Sequence, residues 1–322
     1  MRARDGTTGP GRAGPLDITV LMGGPSAERE VSLASGAAVA DALERTGHHA
    51  VRADIDRNET AALDRAGIDV VFIALHGDFG ESGEVQELCQ QRGLPYVGSG
   101  PHASRLALDK ALAKRRFRHA GLRTPDWLVV EQRHEWAQVR RRLAELPPPV
   151  VCKPIDGGSS VDITIARDAR ARDAALERLL DAYGRALLEA YVPGRELTVG
   201  MLGDDPLPVL EVIPAGEFYD YHAKYADDAG TGYTFDHGLT AATCAKLQAA
   251  ALTAHRSLGC RHLSRTDFVL DQDGTPHVLE VNTIPGFTSH SLLPKAAARI
   301  GVSFEMLVNR LVTLAAGRTA RR

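Results

Sequence analysis

Hydrophobic and polar positions in the first part of the chain follow short strand patterns separated by a helical pattern. Residues 18–22 form an apolar run that ends in a Gly-Gly-Pro turn, and an alanine-rich helical stretch follows. A second apolar run covers residues 69–75, and a third short strand is predicted at residues 94–97. This order is typical of a parallel sheet, in which ligand-contacting residues follow the carboxyl ends of the strands. Those positions are residues 23–28 and 76–83.

The rest of the chain favours hairpins and further helices. Residues 150–153 and 161–165 flank a loop with paired glycines and paired serines, which predicts a hairpin with a flexible tip. Residues 264–282 predict a second hairpin, because an alternating strand leads through Asp-Gly into another strand. Residues 216–239 are polar without periodicity and long enough to form a functional lid. The C-terminal helix is predicted to begin with Ser303 as its N-cap.

Composition narrows the class of protein. The 322 residues include 38 Lys and Arg against 41 Asp and Glu, so the net charge of −3 provides no general basic field for nucleic acid. The length suggests two or three domains, enough to enclose a cleft. No apolar run is long enough to span a membrane, and no apolar N-terminal segment indicates secretion. The four cysteines lack C-x-x-C spacing, which favours a reducing cytoplasm over disulfides or a thiolate zinc site.

The second hairpin carries the most informative polar residues. Strand alternation places Arg265 and Asp267 on one face, and likewise Glu280 and Asn282. If the two strands pair in register, Asp267, Glu280 and Asn282 form an all-oxygen cluster that suits Mg²⁺. Arg265 is then placed to hold a carboxylate or phosphoryl group or to stabilise developing charge. The alternative is a solvated sheet face with an ordinary salt bridge.

Candidate ligand-binding residues also occur beside two loops. Lys110 and Lys153, with the Gly-rich loop at residues 154–160, offer the ammonium and backbone N–H groups that a polyphosphate needs, although the loop is not G-x-x-x-x-G-K-[ST]. An isolated lysine is more often simply solvated. Glu28 is either a first-turn carboxylate favoured by the helix dipole or a ligand for an ammonium group. His76 follows a strand, where a single His is more often structural than catalytic.

Taken together, these segments resemble the D-alanine–D-alanine ligase family of the ATP-grasp superfamily from about residue 18 to residue 314. The order and spacing of seven motifs carry the resemblance. They are L-M-G-G-P-S-A-E-R-E-V-S-L at 21–33, H-G-D-F-G-E-S-G at 76–83, D-K at 109–110, K-P-I-D-G-G-S-S at 153–160, Y-D-Y-H-A-K-Y at 219–225, R-T-D-F at 265–268 and E-V-N-T-I-P-G-F-T-S-H-S-L at 280–292.

The resemblance implies an α/β protein with α+β lobes, in which an ATP-grasp fold follows a Rossmann-like N-terminal domain. The expected divisions are a disordered N-terminal extension at 1–16, the Rossmann-like domain at 17–103, a central ATP-grasp lobe at 104–188, a C-terminal ATP-grasp lobe with the metal and substrate site at 189–317, and a basic tail at 318–322.

The resemblance also implies roles for individual residues. Nucleotide contacts are expected from the phosphate-binding lysines and from the loop, hinge, ribose and lid positions: Lys110, Lys153, Ser159, Ser160, Glu189, Ala190, Tyr191, Val192, Glu196 and Lys224. Two Mg²⁺ or Mn²⁺ ions are expected on Asp267, Glu280 and Asn282. Catalytic and substrate positions are Glu28, His76, Ser159, Tyr225, Arg265, Gly286, Ser291 and Leu292. Among these, Arg265 and the Gly286 backbone are the expected oxyanion stabilisers, and Glu28 is expected to hold the first substrate's ammonium group.

The implied activity is ATP-dependent ligation of two D-alanines through an acyl phosphate, for peptidoglycan precursor synthesis, by a cytoplasmic homodimer. The substrates are small molecules, with no nucleic acid or membrane partner. Asp162 and His262 stand where the family has Gly, and the lid sequence at 235–237 is altered. Two alternatives remain open: a paralogue joining other amino acids, in specialised metabolism or resistance, and a non-catalytic nucleotide-binding relative. Tyr225 favours the dipeptide-forming type.

Overall fold

A three-stranded parallel sheet forms the first domain of the computed structural model, which describes residues 14–132, 136–158, 161–213, 231–288 and 291–317. The strands lie in the order β2-β1-β3, and Val71 also makes an isolated parallel bridge to Tyr96. The elements are β1 (Asp17–Met22), α1 (Arg29–Arg45), β2 (His49–Asp54), a 3-10 helix (Ala61–Asp64), β3 (Val70–Ile73), α2 (Asp78–Glu81), α3 (Glu84–Gln91) and α4 (Pro101–Leu108).

Three features of this domain differ from the sequence expectations. Strand β2 was missed, because its residues His49–Asp54 mix polar and apolar side chains in place of a continuous apolar run. The strand predicted at 94–97 is reduced to the single bridge at Tyr96. Leu16, assigned to the terminal extension, is buried in the core beside Ile18.

The central lobe is built on an antiparallel four-stranded sheet. Its strand order is β4-β7-β5-β6, and the predicted hairpin of β5 with β6 is confirmed. The elements are α5 (Lys110–His119), β4 (Trp127–Glu131), α6 (Trp136–Ala144), β5 (Val150–Lys153), β6 (Thr164–Ala166), α7 (Ala169–Tyr183) and β7 (Arg185–Ala190). Helix α7 packs on the sheet through Ala175, Leu176 and Leu179, which are buried because they recur on one helical face.

The C-terminal lobe is built on a six-stranded sheet in the order β11-β10-β8-β12-β13, with β9 paired to β8. The predicted hairpin between β12 and β13 is confirmed. The elements are β8 (Gly194–Leu202), β9 (Asp205–Pro206), β10 (Leu210–Ile213), β11 (Gly232–Thr234), α8 (Ala241–Leu258), β12 (Leu263–Asp271), β13 (Pro276–Asn282), α9 (Leu292–Arg299) and α10 (Phe304–Gly317). Ser303 accepts a hydrogen bond from Met306 N at 3.2 Å, as expected of an N-cap.

The end of the chain returns to complete the first domain's core. Phe287 packs edge-on against Phe72 of β3, with ring centroids 5.3 Å apart, and α10 contributes Leu307 and Leu311 to the same core. This burial explains the apolar character of the last helices. No single helix in the described ranges is long and apolar enough to cross a membrane; α9 and α10 reach that length and composition only as a pair, which is bent by 103° at its break.

Two non-glycine residues, Asp162 and His262, adopt left-handed backbone conformations, with φ of 56° and 65°. Both stand where the resemblance led us to expect Gly, the residue that reaches this region without strain. Each is held by its side chain. Asp162 accepts a hydrogen bond from the Tyr183 hydroxyl, and His262 Nδ1 accepts one from Gly98 N at 3.1 Å. Asp162 and His262 therefore adopt the left-handed backbone conformation that glycine would adopt at these positions.

Candidate active site

Four polar residues share one face of the β12–β13 hairpin. Arg265 pairs in register with Asn282, and Asp267 with Glu280, so the alignment that the sequence left conditional is present. Arg265 donates from Nε and Nη2 to the two carboxylate oxygens of Asp267, at 2.8 and 2.7 Å. With side-chain exposures of 12% for Arg265 and 22% for Asp267, this face is not simply solvated. The salt bridge of the alternative interpretation thus exists inside a largely enclosed polar cluster.

The oxygen atoms of this cluster suit a hard divalent cation. Asp267 and Glu280 supply carboxylates and Asn282 an amide oxygen, which also accepts a hydrogen bond from Ile284 N at 2.8 Å. Thr198 donates to Asp267 Oδ1 at 2.7 Å and fixes that carboxylate from the neighbouring strand. Among the described residues no group of three or more His, Cys, Asp or Glu is placed to hold a metal ion, so such a site depends on Asn282 as the third protein ligand.

Lys110 links the glycine-rich loop to this hairpin. It is the first residue of α5, where Asp109 caps the helix by accepting from Leu112 N at 2.9 Å. Its ammonium group donates to the carbonyl of Gly157 and lies 3.5 Å from Glu280 Oε2. The Lys110 ammonium group therefore lies between the glycine-rich loop and the carboxylate cluster.

Lys153 belongs to a buried ionic group that sequence reasoning did not find. Its Nζ lies 2.9 Å from Glu189 Oε2, and Lys114 Nζ lies 3.0 Å from Glu189 Oε1. Burial alone would raise the pKa of Glu189, but the two lysines outweigh it and hold the pKa below its ordinary value. The sequence feature that could have indicated Lys114 was its spacing from Lys110, because residues four apart lie one turn apart on the same face of a helix.

A cleft of about 360 Å³ is lined by residues of the central and C-terminal sheets. Lys153 and Glu189 line it together with the predicted hinge residues Ala190, Tyr191 and Val192, the predicted ribose ligand Glu196, the carboxylates Asp267 and Glu280, and Leu292. Apolar side chains, among them Ile163, Ile165, Val212, Phe268 and Leu279, share the walls with the polar residues Arg195, Thr198 and Glu211. These predicted nucleotide and metal residues therefore meet in one cavity, although they come from distant parts of the sequence.

The sequence analysis also missed an ion pair between Arg195 and Glu211 in the wall of the cleft. Arg195 donates to both carboxylate oxygens of Glu211, at 2.7 and 2.6 Å, and from Nη2 to the carbonyl of His237 at 2.6 Å. The last contact joins β8 to the segment in which the sequence departs from the family. This bidentate pair fixes the wall beside Glu196.

The first domain supplies Glu28 and His76. Glu28 precedes α1, and its carboxylate reaches both domains, since a Cβ built on Gly77 or on Gly158 would lie 3.4 Å from Oε2. His76 is buried and lies 3.3 Å through Nε2 from Ser35 Oγ. Ser35 Oγ in turn accepts a hydrogen bond from Phe287 N at 3.3 Å, which ties His76 to the chain beside Gly286.

Gly286, Ser291 and Leu292 lie together at the turn before α9. A Cβ on Gly286 would meet Ser291 Oγ at 2.6 Å, so only glycine fits while that hydroxyl stays in place. Leu292 packs on Leu210 and lines the cleft. Four predicted site residues, Ser159, Ser160, Lys224 and Tyr225, lie outside the described residues.

The arrangement is suited to a polyanion with an apolar part. Lys153, Asp267 and Glu280 line the cleft together with several apolar side chains, and the Lys110 ammonium group lies 3.5 Å from Glu280 Oε2. Arg265 adds a fixed guanidinium beside them. Such a set can bind phosphate groups directly and through divalent cations, and can stabilise a negatively charged transition state.

Comparison with known proteins gives consistent matches. The model of the D-ala D-ala ligase C-terminus matches residues 117–313, and that of the D-ala D-ala ligase N-terminus matches residues 57–99. A protein of Synechococcus sp. (strain JA-3-3Ab), named D-alanine--D-alanine ligase, is 45% identical over 311 residues and 95% of each chain. A protein of the same name from Gloeobacter violaceus is 44% identical over 92% of this chain and 98% of its own.

Solved structures agree. The D-alanine--D-alanine ligase of Bacillus anthracis complexed with ATP has a TM-score of 0.83 and 30% identity over 96% of this chain and 99% of its own. VanG D-Ala:D-Ser ligase from Enterococcus faecalis has a TM-score of 0.84 and 29% identity, covering 94% of this chain and 99% of its own.

Proposed function

Because the chain belongs to the D-alanine–D-alanine ligase family and has its ATP-grasp fold, we propose that it is an ATP-dependent ligase that joins two D-alanines for peptidoglycan precursor synthesis. The observation that carries the proposal is that Lys153, Asp267 and Glu280 line a single cleft, with the Lys110 ammonium group 3.5 Å from Glu280 Oε2. The phosphates of ATP and the reacting carboxylate would lie beside these four residues.

In this proposal the nucleotide occupies the cleft between the two sheets. The adenine lies along the hinge at Glu189, Ala190, Tyr191 and Val192, and the ribose hydroxyls bind Glu196. Lys110 and Lys153 bind the phosphates, and the family resemblance assigns Ser159, Ser160 and Lys224 to nucleotide contacts as well. The ammonium groups offset phosphate charge where apolar walls strengthen the attraction.

The carboxylate cluster is suited to magnesium, or to manganese. Asp267, Glu280 and Asn282 would hold up to two ions, because their all-oxygen donor set is the type that hard cations prefer. When bound, the ions supply positive charge to the phosphoryl group being transferred. Thr198 and Arg265 keep Asp267 oriented before any cation arrives.

Two bond exchanges make up the reaction. In the first, a carboxylate oxygen of one D-alanine attacks the γ-phosphorus as its bond to the β–γ bridging oxygen breaks, giving an acyl phosphate and ADP. In the second, the neutral amine of the other D-alanine attacks the acyl carbon, the bond from that carbon to the phosphate oxygen breaks so that inorganic phosphate leaves, and the nitrogen gives up one proton. After the amine attacks and before phosphate leaves, the tetrahedral intermediate carries an oxyanion, which Arg265 and the Gly286 backbone stabilise. Water must be excluded, since it would hydrolyse the acyl phosphate.

The remaining predicted residues hold the amino acids. Glu28, whose carboxylate lies close to Gly77 and Gly158, would bind the first ammonium group, and His76 would also belong to the substrate site. Ser159 and Tyr225 would tie Glu28 to the closing loops. Ser291 and Leu292 would contact the second amino acid. The four cysteines are free, in keeping with a reducing cytoplasm, and the homodimer stays a prediction.

A substrate panel tests the proposal. The protein is incubated with ATP, Mg²⁺ and single or paired D- and L-amino acids, and products are identified by mass spectrometry while phosphate release is followed. D-alanine alone should give D-alanyl-D-alanine and one phosphate per dipeptide. Exclusive formation of another product, such as the mixed D-Ala and D-Ser dipeptide, would reassign the second substrate to the paralogue alternative.

The Asp267→Ala variant separates the enzyme from a non-catalytic relative. Loss of turnover in a protein that still folds is expected if Asp267 belongs to the reaction centre, with a lower melting temperature because Arg265 and Thr198 lose a hydrogen-bond partner. Arg256→Ala, which removes a surface partner of Asp204, is the matched control and should keep full activity. Absence of any ligation by the intact protein, with nucleotide still bound, would favour the binding role.

A further inference from the structure

One buried charge remains outside the mechanism proposed above. Lys114 is fully buried, and a lysine is almost never fully buried unless its charge is paired. It lies on α5, one turn after Lys110, and its ammonium group faces Glu189 of β7. Burying a cation costs several kcal/mol, so its presence here calls for compensating contacts.

One ion pair and two hydrogen bonds hold the group in place. Lys114 Nζ lies 3.0 Å from Glu189 Oε1, donates to Thr124 Oγ1 at 2.6 Å, and donates to the carbonyl of Pro125 at 3.3 Å. Among the described residues Glu189 Oε1 accepts no hydrogen bond, so the attraction between Lys114 and Glu189 is that of an ion pair. The Trp127 ring, 5.5 Å away, adds a cation–π contact.

The other oxygen of the same carboxylate holds Lys153. Glu189 Oε2 lies 2.9 Å from Lys153 Nζ, and Glu189 is itself 2% exposed. The three side chains therefore carry two positive charges and one negative charge. Lys153 and Glu189 line the cleft, whereas Lys114 is fully buried, is not among the residues that line it, and pairs with the other oxygen of the carboxylate.

We propose that Lys114 is a positioning residue for nucleotide binding: by sharing Glu189 with Lys153, it leaves the group with a net positive charge facing the cleft and fixes the Lys153 ammonium toward the phosphates. The inference rests on the proposed function, since it takes ATP as the ligand. Without Lys114, Glu189 and Lys153 form a neutral pair, and the field at the phosphates loses one unit charge. The carboxylate also loses the partner of its Oε1 oxygen.

The charge state of Lys114 gives the inference a second readout. Burial lowers the pKa of Lys114 to about 8, although Glu189 acts to raise it; Lys153 and, from its own helix, Arg118 lower it further. A group with a lowered pKa loses its proton as the pH rises through that value. Nucleotide affinity of the free protein should therefore weaken between about pH 7 and pH 9.

The test measures binding and turnover in the whole protein with Lys114→Met, Lys114→Arg and the control Lys246→Met, which removes an exposed lysine from α8. Titration calorimetry with a non-hydrolysable ATP analogue and Mg²⁺ should give a Kd raised roughly tenfold for Lys114→Met and unchanged for the control. KM for ATP should rise by a similar factor, with kcat within about threefold of wild type. Lys114→Arg should recover part of the affinity.

Nucleotide affinity within twofold of wild type in a folded Lys114→Met protein overturns the inference. If that variant does not fold, the pH series on the wild type decides: weakening above pH 8 supports the inference, and a flat profile overturns it. Calorimetry needs no catalysis, so failure to form a dipeptide would count against the proposed function while leaving this test in force.

Discussion

The turn between Gly286 and Ser291 offers a quantitative test of the site's geometry. In Gly286→Ala the new Cβ would lie 2.6 Å from Ser291 Oγ, closer than the 3.0 Å below which real Cβ contacts essentially never occur. Gly286 does not have a positive φ, so alanine meets no backbone strain there. The whole cost of the substitution should therefore come from displacing one hydroxyl group.

The size of that cost follows from what the hydroxyl does. Ser291 Oγ accepts from Thr288 N and pairs with Thr288 Oγ1, both at 2.9 Å. At about 1 kcal/mol net for each hydrogen bond, Gly286→Ala should lower the free energy of unfolding by about 1–2 kcal/mol. Ser291→Ala removes the same bonds and should lower it equally. With Ser291→Ala present, the new Cβ meets only the residue 291 Cβ, at 3.5 Å, which is ordinary contact.

The assay is a double-mutant cycle measured by urea unfolding. Because the second substitution adds almost nothing to the first, the double variant should match Ser291→Ala alone, with a coupling energy of about 1–2 kcal/mol. Stability is the readout because both residues also belong to the proposed substrate site. Effects that add to within about 0.5 kcal/mol would show that the two groups do not meet, and would refute the geometry.

Three further predictions concern other parts of the molecule. His262→Gly should lower the free energy of unfolding by roughly 1 kcal/mol, because the lost acceptor for Gly98 N outweighs the relief of a positive φ; a gain in stability would contradict this. Arg65 holds the pKa of Asp17 below its ordinary value of 3.8, so the ionised Asp17 carboxylate stabilises the folded state. This stabilisation is present above pH 3.8 and disappears as the pH falls through the folded-state pKa. Asp17→Asn should accordingly destabilise the protein by less than about 1 kcal/mol at pH 7 and by nothing at pH 2 in denaturant titrations; a penalty that persists at pH 2 would exclude this origin. Burial raises the pKa of Cys89 to about 12, so iodoacetamide at pH 8 should label this thiol only after unfolding, as mass spectrometry of its peptide can show.

Local patterns in the sequence determined much of the fold and part of the site. Alternation along β12 and β13 placed Arg265 with Asp267, and Glu280 with Asn282, on one face of each strand. The register that opposes Asp267 to Glu280 was left conditional by the sequence, and it depends on a shift in the pairing between Asp267 and Phe268. The β5–β6 hairpin, α8 and α10 followed equally from local periodicity. These features were predictable because the interactions that fix them join residues near in sequence.

The tertiary structure alone decided which side chains from distant segments meet. Nothing in the pattern around Glu189 showed that its carboxylate joins Lys114 to Lys153, because backbone periodicity reports which face a residue occupies and not what packs against that face. The contact of Ser35 with Phe287 spans 252 residues. Such contacts depend on which apolar faces of distant elements are buried together, and this burial is a cooperative outcome of the whole chain. The sequence by itself determined the chemical groups and their local faces; packing determined their partners, their burial and the charge that reaches the cleft.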